Sequence, residues 1–190
     1  MLANKLLDYF GYKKGSDGYR TLPDGKPLTV RQATGTAAID REYSELWKRS
    51  MDAIGIRMVF EPGKFSDTLK AAKACQVMMW QASWTADYPD GDNFMQLLYG
   101  PNTGESNNGC YESKAYDALY EKSLTLPPES VARNHLFIDM TRQMEVDGAW
   151  SLHSWGIRNQ LLRPWVKGYK KHPVLGLELK YLDVIRNAVQ

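Results

Sequence analysis

The chain has 190 residues, 43% of them hydrophobic and 24% charged, enough apolar content for one globular domain with its own core. Its 24 basic and 22 acidic side chains leave a net charge of +2 with no basic block, so neither nucleic acid nor a membrane surface is implied as a partner. No apolar run approaches the roughly 18 residues of a membrane span. The early polar residues Asn4, Lys5 and Asp8 interrupt what a signal peptide would keep apolar, so the chain as written reads as soluble and untargeted.

In chain order, Leu2, Leu6, Tyr9 and Phe10 recur at helical spacing, with Gly11 in the position of a helix-terminating glycine. Tyr19 to Leu22 and Leu28 to Val30 flank Pro23-Asp24-Gly25-Lys26, a hairpin signature with Asp-Gly at the turn. Ile39, Tyr43, Leu46, Trp47, Met51 and Ile54 form one face of a helix that Gly55 stops. Ile56, Met58 and Phe60 alternate as a strand closed by Pro62-Gly63, and Phe65, Leu69 and Ala72 start a second helix. Strand, helix, strand, helix, strand is the pattern of a parallel sheet with right-handed crossovers. The expected fold class is therefore α/β, a mixed and mostly parallel sheet with helices on both faces.

The third strand of that series carries the most information. Val77 to Trp80 and Ala82 to Trp84 form an almost unbroken apolar run without alternation, which predicts a central strand buried on both faces. It breaks at Thr85-Ala86-Asp87-Tyr88-Pro89-Asp90-Gly91-Asp92 and resumes as a short helix from Phe94 to Tyr99. Two tryptophans, a tyrosine and three carboxylates then stand at or past the carboxyl end of a strand, where open α/β sheets bind ligands. Asp90 and Asp92 read as caps of the following helix. Trp80, deeper in the run, reads as core; Tyr88 either lines the mouth of the site or covers the sheet edge.

Beyond it, residues 100–109 form a long polar loop, and two helices follow. One carries Tyr116, Leu119 and Tyr120; the other carries Val131, Leu136, Phe137, Met140 and Met144, opens after Pro127-Pro128 and stops near Asp147-Gly148. Residues 149–166 are aromatic and apolar enough for strands, whereas Leu175, Leu177, Leu179 and Tyr181 give only a broken alternation. Cys75 and Cys110 have no metal-ligand spacing and are either two thiols or one disulfide. His135, His153 and His172 also lack metal spacing; they read as a helix surface residue, a strand residue beside Trp155 and a tail residue. No cofactor motif accompanies them.

At Trp84-Thr85-Ala86-Asp87-Tyr88 the chain resembles the C-terminal lobe of bacterial periplasmic solute-binding proteins of ABC importers, in the oligopeptide- and dipeptide-binding family. The opening LANKLLDYFGYKKGSDGYRTLPDGKPLTV resembles that family's entry into this lobe. Asn108-x-x-Tyr111 with Asp117-x-Leu119 and Arg133 resembles its helical excursion, and Arg163-Pro164-Trp165-Val166-x-Gly168-Tyr169 its closing strand and turn. The resemblance implies a fragment: residues 1–173 as the solute-binding lobe, and 174–190 as a tail crossing toward a missing N-terminal lobe. It also implies a periplasmic location, a peptide or small-molecule solute, and a membrane permease as partner of the full-length protein.

By the same resemblance, Asp87 accepts a peptide's ammonium group and Trp84 walls a side-chain pocket, with Tyr88, Gln81 and Asn108 completing the ligand-binding set. Some relatives have an arginine where Gln81 stands and use it to pair a peptide carboxylate, so this chain departs from them there. Relatives of this fold also take glutathione, nickel chelates, sugars and opines. The expectation is a binding module and not an enzyme. The competing reading is a carboxylate-dependent hydrolase using Asp87 with Asp90 or Asp92, and a calcium loop of the same three carboxylates is a third; their spacing fits no EF-hand.

Overall fold

The computed structural model describes residues 2–154, 156–157, 159–171, 174 and 178–185. They form two compact units: 1–83 with 103–110, and 84–102 with 111–190.

The first unit opens with helix α1 (Leu2–Tyr9), whose chain leaves through Gly11 at φ +86°, a left-handed conformation natural only to glycine. The Pro23–Lys26 turn is present: Leu22 N–H donates to the Lys26 carbonyl at 2.8 Å, beside the antiparallel bridge Thr21 to Pro27. Arg20, on the first arm, is 3% exposed and ties this entry segment together. Its guanidinium donates to the Ile54 carbonyl (2.7 Å), to Asn4 Oδ1 (2.8 Å), to Asp8 and to the Tyr12 carbonyl. A buried cation needs such a shell, and one planar guanidinium supplies donors in fixed directions.

Strand β1 (Thr29–Thr34), helix α2 (Ala38–Ile54), strand β2 (Arg57–Pro62), helix α3 (Phe65–Lys73) and strand β3 (Met79–Trp80) follow in the predicted order. The sheet runs β2-β1-β3 and is parallel throughout, with Thr29 opposite Arg57 and Gln32 opposite Met79. Because β2 and β3 lie on opposite sides of β1, right-handed crossovers place α2 and α3 on opposite faces. The α2 helix ends at Gly55, φ +77°, as its sequence predicts.

Two expectations need correction here. The run around Met79 and Trp80 is not the central strand: β1 is, and β3 is a two-residue edge strand whose neighbour Met78 is 65% exposed. Apolar composition was a poor guide to burial, because an edge strand in a narrow sheet lacks a second neighbour to cover it. Trp80 is half-buried and meets the Phe65 ring at 6.3 Å. Likewise, the apolar face of α2 is only partly covered, with Ile39 54% and Leu46 48% exposed.

Cys75 and Cys110 are disulfide-bonded, with Cα atoms 5.7 Å apart and a sequence separation of 35. The bridge fastens the polar loop, with its fully buried Asn107, to the end of α3.

The second unit contains the short helix α4 (Asp92–Met95), 3-10 turns at Gln96–Leu98 and Gly100–Asn102, and helices α5 (Lys114–Leu124) and α6 (Val131–Asp147). Both long helices are capped as their sequences allow: Ser113 Oγ accepts from Tyr116 N–H, Ser130 Oγ accepts from Arg133 N–H, and Gly148 ends α6 at φ +64°. Their facing sides bury Tyr116, Tyr120, Met140 and Met144 around Leu98. The described residues of 149–166, expected as strands, are mostly irregular; the only pairing among them joins β4 (Val166–Lys167) to β5 (Asp183–Val184). Their aromatic and leucine content indicated strands, but Leu152, Ile157 and Leu161 are exposed and have no sheet to join. The Leu175 and Leu177 alternation, His172 and Trp155 lie outside the described residues. His135 is exposed on α6, as expected.

Closing a loop of this size by a disulfide is worth about 3–4 kcal/mol in the chain-entropy treatment. The double variant Cys75→Ser/Cys110→Ser is expected to lose about 2–4 kcal/mol in urea unfolding. Reductant should lower the parent protein to the same level and leave the variant unmoved.

Candidate functional site

Two groups of residues carry site chemistry, one in each unit. In the first unit a cavity of about 340 Å³ opens at the carboxyl edge of the parallel sheet. Its floor is the end of β1 from Gln32 to Gly35, its walls are the first turns of α2 and α3, and its rim runs from Gln81 to Ser83 beyond β3. Parallel strands start their crossovers at this edge, so loops and helix starts from three strands converge there. Gln81 is thus a lining residue, exposed at the rim.

In the second unit the organising group is Asn93, 1% exposed at the start of α4. Its Oδ1 accepts from Trp84 Nε1 at 2.8 Å and from the Asp87 backbone N–H at 3.1 Å, while its Nδ2 donates to Asp87 Oδ2 at 3.4 Å. One buried amide therefore fixes both the tryptophan and the aspartate singled out by the sequence. With its N–H satisfied, Trp84 still leaves 42% of its surface exposed, a flat apolar face held in place. Asp87 is exposed and has no ion-pair partner among the described residues, so its carboxylate keeps most of its acceptor capacity.

The neighbouring carboxylates differ in kind. Asp90 pairs with Arg133 at 2.6 Å and also accepts from the Asp92 backbone N–H at 3.0 Å. Arg133 is 7% exposed, donates to the Ser123 carbonyl and lies over the Phe137 ring at 4.9 Å. That ring in turn leaves no room for a side chain on Gly91, where a Cβ would come within 2.8 Å of it. The Arg133 bond holds the Asp90 carboxyl below the usual carboxylate range, against a smaller opposing effect of burial.

Asp92 behaves oppositely, because burial raises it despite the hydrogen bond that the Tyr88 hydroxyl donates at 3.2 Å. It stands inside α4 and caps nothing, which corrects the expectation for it; Asp90 does supply a local N-terminal acceptor. Tyr88 is 41% exposed and its hydroxyl is raised, chiefly by burial. Asp90, one of the two partners the hydrolase reading offered Asp87, is committed to a buried guanidinium, and no finding supports that reading with Asp92. Asn108 lies in the first unit, on the disulfide-anchored loop, where its Nδ2 donates to the Ser106 carbonyl at 3.3 Å and its buried Oδ1 has no partner among the described residues. It does not line the cavity.

Sequence reading missed Asn93, Gln32 and Asp40. An asparagine beside Phe94 looks like an ordinary helix-start residue, and nothing local signals that its amide is shared by residues six and nine positions earlier.

The first unit is thus an open α/β unit with a cavity at the carboxyl edge of its sheet, and the second holds a fixed indole beside an exposed carboxylate. Residues 2–106 match the family model for bacterial extracellular solute-binding proteins, family 5 Middle, and the chain belongs to that family. It is 26% identical over 172 residues to the periplasmic oligopeptide-binding protein OppA of Escherichia coli, covering 88% of this chain and 28% of OppA. The OppA of Salmonella typhimurium is 23% identical over 85% of this chain and 30% of its own length. The chain thus spans under a third of these relatives. Among solved structures it is similar to AppA of Bacillus subtilis in complex with a nonapeptide, with TM-score 0.74 and 14% identity over 96% of this chain and 37% of AppA.

Two outcomes test this geometry. Asn93→Ala strands the Trp84 and Asp87 donors and is expected to cost about 1–3 kcal/mol in urea unfolding. Asp90→Asn breaks the pair with Arg133 and is expected to cost about 2–4 kcal/mol at neutral pH. Since the folded pKa of Asp90 is depressed, its contribution is complete above the unfolded value of about 4 and fades as pH falls through the folded value. The stability difference between parent and Asp90→Asn should therefore shrink below about pH 4, measured by urea unfolding at stepped pH.

Proposed function

We propose that this chain supplies one wall of the ligand cleft of a two-lobed, periplasmic solute-binding protein that hands a peptide to an ABC importer. The observation that carries the reading is Asp87: an exposed carboxylate with no cation partner among the described residues, held by buried Asn93 beside a fixed indole face. A peptide ammonium meets such an acceptor with a charge-assisted bond, strengthened once a second lobe excludes water. The ligand set on this reading is Trp84, Asp87 and Tyr88 with Gln81 and Asn108. On this reading residues 1–173 make up the lobe and 174–190 a tail of the full-length protein; of that tail, Asp183–Val184 pairs with Val166–Lys167 in this chain. Support comes from the family, from the peptide-binding relatives and from a disulfide suited to an oxidising compartment.

Losing one partner of a desolvated charge pair costs on the order of 2–5 kcal/mol. In the full-length protein Asp87→Ala should weaken peptide binding at least tenfold, equivalent to about 1.4 kcal/mol. Titration calorimetry giving an unchanged dissociation constant removes the assignment.

A further inference from the structure

The cavity in the first unit has a chemical bias that membership of the family does not specify. Gln32 is 4% exposed, and its amide oxygen is buried without a hydrogen-bond partner among the described residues. An acceptor in that condition is unsatisfied until a donor reaches it. Gln32 lines the cavity together with Thr34, Ser44, Thr68 and Gln81, all neutral, and with Asp40, the one formally charged residue in the lining. No lysine, arginine or histidine lines it among the described residues.

The carboxyl edge of a parallel sheet ordinarily attracts anions, because helix N-termini point there. In this chain that place is taken. Asp40 stands in the first turn of α2 and accepts from the Ala37 backbone N–H at 2.9 Å. It fits only because Gly35 has no side chain: a Cβ there would lie 2.2 Å from Asp40 Oδ2. The resident carboxylate offsets the positive helix end and adds negative potential to the cavity. An entering carboxylate would meet repulsion from Asp40 and no cation, whereas an ammonium or guanidinium would find Asp40 as a charged acceptor in an otherwise neutral lining. A cation also outcompetes a neutral donor, since charge-assisted bonds are roughly twice as strong. At about 340 Å³ the cavity accommodates one long side chain with a few waters, each occupying about 30 Å³.

We infer that this cavity is a specificity pocket for a positively charged side chain of the bound peptide, of the lysine or arginine class, and that it excludes the peptide's carboxylate. The inference rests on the peptide-binding reading above and adds to it which residue type the solute carries.

The test uses the full-length protein and calorimetry with trialanine and its six relatives carrying Lys or Glu at each position in turn. At one position Lys is expected to tighten binding at least tenfold over Ala, and Glu at that position to weaken it at least tenfold. Asp40→Asn should cut the Lys-over-Ala preference at least fivefold; Gln32→Met serves the same purpose if the first variant does not fold. Binding of the series with no position preferring Lys, or a preference that survives in the variants, overturns the pocket and leaves the peptide reading standing. No binding by any of the seven peptides overturns both.

Discussion

The arrangement of this chain depends on β1 being paired in parallel on both sides. Two parallel neighbours cannot be reached by hairpins, so the chain must leave the carboxyl edge of the sheet, run back along one face, and re-enter. That requirement creates α2 and α3 and gathers their first turns around the end of β1. The cavity follows from it: the end of β1 and the starts of α2 and α3 line it together, with Gly35 and Gly63 among the lining residues. The Arg20 shell and the Cys75–Cys110 bridge hold the two peripheral pieces of this unit, its entry segment and its polar loop.

In the second unit a single buried amide takes the organising role. Asn93 gives its oxygen to an indole N–H and a backbone N–H, and its nitrogen to a carboxylate. All are local in sequence, so the loop from Trp84 to Asp92 holds its shape through its own bonds and through the Asp90–Arg133 pair beneath it. The three carboxylates of that loop illustrate how position sets chemistry. Asp90 is held ionised by a guanidinium, Asp92 is discouraged from ionising by burial, and Asp87 stays exposed with spare acceptor capacity.

The two acceptor groups, Asp87 in one unit and Gln32 with Asp40 in the other, share a sign. Each offers oxygen, and neither offers a basic side chain. In the second unit the exposed indole of Trp84 adds a flat apolar face.

The amino-acid sequence by itself determined the order of elements through α6 and the glycines that end two helices, because these rest on local chemistry: hydrophobic periodicity and backbone at positive φ. Gly55 and Gly148 end their helices where the pattern placed them. Through its family resemblance it also singled out Trp84 and Asp87, which share the Asn93 amide. Only tertiary structure decided that β1 and not the apolar run at Met79 is central, because strand order depends on which long-range pairings form, and hydrophobicity reports neither. It alone bonded Cys75 to Cys110, gave Asp90 to Arg133, and left the Gln32 oxygen buried without a partner among the described residues. The two pairings join residues far apart in the chain, where no local pattern can record the partner.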